Sequence, residues 1–476
     1  MKNKLIIMAS IFSTTLAVDI NEQLLVDWAR KSSYSKSRIE LGKLQALNEE
    51  KKFNENFIYN FGSELSYVNT EEKPFTNFAP VTTPVKNFEV RLEKATRRGI
   101  GLETRAFSNQ LTNNFYKHGT TSGVGIRIKA DLYKDILGSL TKKQEKSLSL
   151  QKKIAIEEAK INEQAFVSNV RKLYWSLVSV NESLNISKAL LETAKKLERD
   201  TGARFKSKIA DKDELTRIRS QVQTRQGQIY ILEYDRSNII KQIRNLFPDQ
   251  LNEKTVKLAP YDIEQTVKDV LACSAKISSK AKIPYEDTNY DDILAYLESN
   301  LTTQLAINEK HDDPEVALMA DATYLGKDFG YSESIDNFTD DSQAGITLGL
   351  TVNIPLGKEK KDTKAIQKEI LTKTNIAKYK EIQGRLGAFH TETVNSINVL
   401  YKVIDAQERN TKLLNETFKI SNGKFKQARI NARNLLQDED SLLQSNLNEI
   451  NTKYNVIATI IDYFSVYGST ACKINI

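Results

Sequence analysis

Apolar and polar residues alternate along GITLGLTVNIPLG (345–357). Ile346, Leu348, Leu350, Val352 and Ile354 fall on one face of an extended chain, and Thr347, Gly349, Thr351 and Asn353 on the other. GVGIRIKADLYKD (123–135) sets Val124, Ile126, Ile128, Ala130 and Leu132 against Gly125, Arg127, Lys129 and Asp131. A face that carries Arg, Lys and Asp meets water, so its reverse meets something apolar. Each segment is preceded by another alternating one, FIYNFGSELSY (57–67) and PEVALMADATY (314–324). The pattern predicts two strand pairs in corresponding places. Within 71–122, FEVRLEK (88–94) and GIGLETRAF (99–107) read either as extra strands of an exterior hairpin or as lengthened wall strands.

Helical spacing takes over after each pair. Neither Gly nor Pro occurs between Gly138 and Gly202, about 60 residues that as helix would extend on the order of 90 Å. Val170, Leu173, Leu177, Val180, Leu184, Leu191 and Ala194 keep the three-and-four spacing of a coiled-coil seam. A second long helix is predicted from Lys358 to about Asn422, with Gly384 and Gly387 as bending points. Both run into related sequence. ARFKSKIADKDEL (203–215) and GKFKQARINARNL (423–435) align without a gap, and each opens a return helix. The return seams are Leu215, Ile218, Val222, Ile229, Leu232, Ile239 and Leu246, then Leu436, Leu443, Leu447, Ile450, Tyr454, Ile457, Ile461 and Phe464. The chain therefore divides into two repeats, 18–250 and 289–467, joined by an irregular linker (251–288) and followed by a tail (468–476).

Composition sharpens this picture at three points. Eight prolines in 476 residues suit long uninterrupted helices. The net charge is +8, but the 69 basic and 61 acidic residues are interspersed, which reads as solvated helix faces and not as a nucleic-acid surface. MKNKLIIMASIFSTTLA places Lys2 and Lys4 before an apolar run that ends in small residues, the layout of an export signal (1–17) cleaved at Ala17–Val18. Val18 excludes the cysteine that a lipid anchor would need there. After the signal, no run reaches the roughly 18–20 apolar residues of a spanning helix, which leaves a soluble chain or a β-barrel. Cys273 and Cys472, both in the exported part, either pair or remain thiols. His118, His311 and His390 are scattered, so no metal cage is expected, and no nucleophile triad or phosphate-cradling loop marks an enzyme or a cofactor site.

The doubled order of elements, the strand endings LYKD (132–135) and IPLG (354–357), and the paired turn segments resemble the TolC-like outer-membrane efflux and secretion ducts of Gram-negative bacteria. The resemblance implies a mixed α and β fold: a long α-helical coiled-coil barrel continuous with a transmembrane β-barrel, built in a homotrimer from four strands per protomer. Val124, Ile126, Ile128, Leu132, Ile346, Leu348, Leu350, Val352 and Ile354 would then face outer-membrane lipid. Phe57, Tyr59, Tyr67, Tyr133 and Tyr324 are candidates for aromatic girdles. Family members dock a periplasmic adaptor at the helical turns. The matching positions are Phe205, Ile209, Glu214 and Leu215 in the first repeat and Phe425, Arg429, Asn434 and Leu435 in the second. Lys208 and Ala428 stand where the family has Gly, which allows a differently shaped turn. The family's acidic aperture sites fall on neutral Asn434 and Gln437, with Asp438, Glu439 and Asp440 just beyond, so a weaker or displaced acidic ring is expected around Asn434, Gln437 and Asp438. In this architecture a Cys273–Cys472 disulfide would tie down the tail.

The function so implied is a passive, adaptor-opened exit duct of a tripartite efflux pump or type I secretion system. It would serve an inner-membrane pump of the RND or ABC type from the outer membrane, with a long periplasmic extension. A soluble exported coiled-coil adaptor or structural protein is the competing reading, and it predicts no barrel.

Overall fold

The computed structural model describes residues 17–31, 34–72, 81–112, 119–252, 254–278 and 288–467. The expected signal, His118, Cys472 and the expected tail lie outside the described residues, apart from Ala17. The chain forms two compact units, residues 43–156 with 292–381, and residues 17–42 with 157–291 and 382–467.

The first unit holds a single antiparallel sheet, ordered β2 (Tyr59–Val68), β3 (Val85–Ala95), β4 (Ile100–Leu111), β5 (Gly119–Asp131), β7 (Glu315–Asp328) and β8 (Gln343–Asn353). The sheet thus has six strands, not four. FEVRLEK and GIGLETRAF, which the sequence left open between an exterior hairpin and lengthened wall strands, form a hairpin inserted in hydrogen-bonded register between β2 and β5. Its inner turn is packed, not free. A Cβ at Gly138 would come within 1.9 Å of the Arg97 carbonyl oxygen, and one at Gly99 within 2.4 Å of that of Asp135. Both glycines have positive φ, so the β3–β4 turn and the β5 exit fit together only without side chains. Arg97 also donates to Asn54 at the end of α2 (Tyr34–Glu55).

Parts of four helices complete this unit: α2, α3 (Ser139–Lys206), α7 (Asn289–Asn308) and α9 (Glu359–Lys426). Lys152 pairs with Glu50, Ser147 donates to Asn300, and Asn308 donates to the Lys364 carbonyl. Between β7 and β8, α8 (Tyr331–Asp340) lies on the sheet through Ser334 and Ser122, whose hydroxyls are 2.8 Å apart, and through the Phe338 ring set edge-on to Tyr324.

In the second unit the rest of α3 and α9 joins the return helices α4 (Lys212–Leu246) and α10 (Ala432–Tyr467). Both long helices span 68 residues, and α9 continues through Gly384 and Gly387 without a break. The predicted seams are the core: Val170, Leu177, Leu184, Leu191, Ile218, Val222, Ile229, Leu443, Ile450, Ile457 and Ile461 are all buried. Among the described residues of the segment read as an irregular linker, the chain forms the end of α5 (Pro248–Leu251), β6 (Thr255–Leu258) and α6 (Ile263–Ser278). β6 pairs in parallel with β1 (Ala17–Ile20), which leads into α1 (Glu22–Lys31). Ile263, Val267, Val270, Cys273 and Ile277 give α6 an apolar stripe, the period-3.6 signal that the surrounding charges obscured.

Candidate functional site

Alternation places each strand's apolar residues on one side of the sheet, and antiparallel register aligns them from strand to strand. One row runs Phe61, Leu92, Thr104, Ile126, Ala322, Ile346, and the next Tyr59, Lys94, Leu102, Ile128, Ala320, Leu348. Apart from its end under α8, where Ser122 and Tyr324 are packed, this face has no cover among the described residues. Phe61, Leu65, Ile346 and Leu348 are 73–83% exposed, and Phe88, Leu92, Leu102, Val124, Ile126, Ile128, Leu350 and Val352 are exposed too. All nine residues expected to face lipid lie on this face or on its continuation past the strand ends. Among the girdle candidates Tyr59, Tyr67, Tyr133 and Tyr324 are exposed, whereas Phe57 is half-buried edge-on against Phe53.

The opposite face is charged. Arg105 donates to both oxygens of Asp321 at 3.0 Å. Arg127 reaches Asp321 at 2.8 Å and Glu103 at 3.2 Å, and Arg91 lies 3.1 Å from Glu93. The quartet Glu103, Arg105, Arg127 and Asp321 ties the inserted hairpin to β5 and β7, with the Asp321 side chain only 8% exposed. Sequence periodicity put Arg127 and Asp321 on a polar face but did not reveal their partners, because Glu103 and Arg105 belong to a segment whose place in the sheet was open.

The two tip turns share one geometry. After α3, the Ile209 amide donates to the Arg204 carbonyl and the Lys208 amide to that of Phe205. After α9, the Arg429 amide donates to Lys424 and the Ala428 amide to Phe425. These are paired six-to-one and five-to-two bonds of a Schellman stop, with Lys208 (φ 61°) and Ala428 (φ 58°) in the left-handed position. Both turns thus make a Schellman stop with an L-residue in the left-handed position that glycine commonly fills. Asn431 caps α10 by accepting from the Asn434 amide.

The tip candidates separate by burial. Phe205, Ile209, Arg429 and Asn434 are exposed and Glu214 is half-buried, whereas Leu215, Phe425 and Leu435 are core. Arg204 joins the two turns, donating to the Phe425 carbonyl at 3.0 Å with its guanidinium over the Phe425 ring. Of the aperture candidates, Asn434 and Gln437 are exposed on α10, and Asp438 accepts from Ser421. The neighbouring acids turn toward α4. Asp440 takes bonds from Gln221 and from buried Arg225, and Glu439 is buried with neither oxygen hydrogen-bonded. Burial pushes the Glu439 carboxyl up to about 7, against the opposing pull of Arg225. Cys273 is buried in α6, and its expected partner lies outside the described residues.

No family model matches the chain, and no curated protein matches it. Solved structures do. The Vibrio cholerae outer membrane protein VceC is 13% identical over 94% of this chain and 96% of its own, with a TM-score of 0.68. The fold is that of TolC-like outer-membrane channels. The Campylobacter jejuni outer membrane channel CmeC is 14% identical, covering 94% of this chain and 86% of its own at a TM-score of 0.67. The Neisseria gonorrhoeae channel MtrE, in its open state, is 12% identical over 97% and 94%, with a TM-score of 0.62. A TolC-like fold accounts for a sheet that is apolar on one side and charged on the other. Among the described residues no helix is long and apolar enough to cross a membrane, and no group of His, Cys, Asp and Glu is arranged to hold a metal.

Proposed function

We propose that this chain is a subunit of a passive outer-membrane exit duct for an efflux pump, closed into a β-barrel by three copies. One observation carries the reading: a six-stranded antiparallel sheet exposes a continuous apolar face and has unpaired edges at β2 and β8. In water such a face aggregates, and in lipid an open edge leaves backbone groups unsatisfied at several kcal/mol each, so closure between copies resolves both. The soluble-adaptor alternative leaves this face without a role.

In this reading the exposed tip residues Phe205, Ile209, Arg429 and Asn434 meet a periplasmic adaptor, and an inner-membrane pump of the RND or ABC type supplies the energy. Adaptor contacts that differ between closed and open tips shift the population toward the open one. The duct itself needs no catalytic group or cofactor. The test is fractionation followed by detergent extraction and planar-bilayer recording. A heat-modifiable trimer in the outer membrane that conducts ions supports the duct; a monomer in the soluble periplasmic fraction refutes it.

A further inference from the structure

The inserted hairpin has every property of the wall strands and none of an exterior loop. β3 and β4 have 11 and 12 residues, enough to cross a hydrocarbon layer that needs about 9–11 per strand. They continue both faces of the sheet without a phase error. Phe88, Val90, Leu92 and Leu102 extend the apolar side, while Arg91, Glu93, Glu103 and Arg105 extend the charged side. The hairpin is locked at one end by the close approach of Gly99 to Asp135 and of Gly138 to Arg97, and across its width by Arg105–Asp321 and Arg127–Glu103. A decorating loop would need none of these.

We infer that each copy contributes six wall strands, and that β2 of one copy pairs with β8 of the next, so three copies close an eighteen-stranded barrel. This inference rests on the duct reading for the number of copies. Because the strand number is even and all neighbours are antiparallel, β2 and β8 run in opposite directions, and the junction between copies is antiparallel like every other. With the stagger that barrel closure imposes, the apolar side of β8 then continues into the apolar side of β2 of the next copy. Barrel diameter grows about linearly with strand number, so this lumen is roughly one and a half times as wide as one built from four strands per copy, the size class of large aqueous pores. Its lining is the charged band of Arg91, Arg105, Arg127, Glu103 and Asp321.

Tryptophan placed on the apolar face of the full chain in vesicles of brominated phospholipid tests this. The native Trp28 and Trp175 lie in the other compact unit and set the background. Leu92→Trp and Leu102→Trp on the hairpin are expected to be quenched as strongly as Leu348→Trp on β8. Quenching of Leu348→Trp without Leu92→Trp and Leu102→Trp would place the hairpin outside the membrane and overturn the eighteen-stranded wall while sparing the duct. Lack of quenching at all three would overturn the duct reading and the wall with it. The junction is read separately by oxidising Ser66→Cys (β2) combined in turn with Thr347→Cys, Gly349→Cys and Thr351→Cys (β8). At least one pair should yield covalent ladders that stop at three subunits. Absence of a subunit cross-link at every pair, in samples that still run as trimers, would refute β2–β8 pairing.

Discussion

Lys208 and Ala428 offer a direct measure of the strain stored in the tips. Each is an L-residue in the left-handed conformation at a Schellman stop, which costs about 1–2 kcal/mol relative to its ordinary backbone basin. Both side chains are exposed, so replacing them with Gly removes little packing. Glycine brings back about 0.4–1 kcal/mol of unfolded-state entropy. The net expectation for Lys208→Gly or Ala428→Gly is stabilisation of the turn by about 0.5–1 kcal/mol, which slows local opening roughly two- to fivefold. Hydrogen exchange of peptides covering 203–211 and 423–431 reads this opening without requiring the whole channel to unfold reversibly. The control is Lys196→Gly, on an exposed position inside α3, where Gly costs about 0.7 kcal/mol of helix propensity and exchange should speed up. Faster exchange in the turn variants, matching the control, would show that these residues do not hold positive φ.

The remaining predictions concern charge, covalent ties and the aperture. Glu439 ionises at about 7 when folded and near 4.5 when exposed, so the native state holds its proton more tightly, and this contribution to stability is lost as pH rises from about 4.5 through 7. The rise is worth on the order of 3 kcal/mol; Glu439→Gln should raise the melting temperature at pH 8 and flatten its pH dependence by circular dichroism, and an unchanged slope would refute this. Asp321→Asn leaves Arg105 and Arg127 without their shared carboxylate and should cost about 2 kcal/mol or more, seen as dissociation of the proposed trimer at a lower temperature on detergent gels; unchanged dissociation would show the quartet to be ornamental. Non-reducing peptide mass spectrometry should find Cys273 joined to Cys472, and free thiols alone would remove that tie. Trivalent cations should block single channels weakly, and tight block abolished by changing Asn434 or Gln437 would contradict a weak or displaced acidic ring.

Helical seams were legible because their signal is local and long. Val170 through Ala194 repeat over many turns, and every such residue has one available answer, the neighbouring helix. The alternation in 345–357 was equally clear, yet a period of two reports only that a strand has two unlike faces. It does not say which strand lies alongside, since pairing depends on register and turn geometry across distant segments. Hence β3 and β4 could be recognised as extended while their place stayed open. What places them is non-local: Arg105 meeting Asp321 across more than two hundred residues, and two glycines that let the β3–β4 turn approach the backbone of residues 135–138.

The tip shows the converse. A glycine rule applied to Lys208 and Ala428 allows a differently shaped turn; the backbone bonds and the packing of Phe425, Ala432 and Leu435 outweigh a penalty of about 1–2 kcal/mol and hold a Schellman stop. The asymmetry between the repeats follows from the same contacts. Arg204 covers Phe425 and buries it, while Phe205, at the equivalent position, has no such cover and stays exposed. Two segments that align without a gap therefore present different surfaces, one closed by its own chain and one open. On the proposed duct reading, an adaptor docking at these turns would meet Phe205 and Ile209 from the first repeat but the charge of Arg429 from the second. Its contacts with the two repeats would then differ in kind.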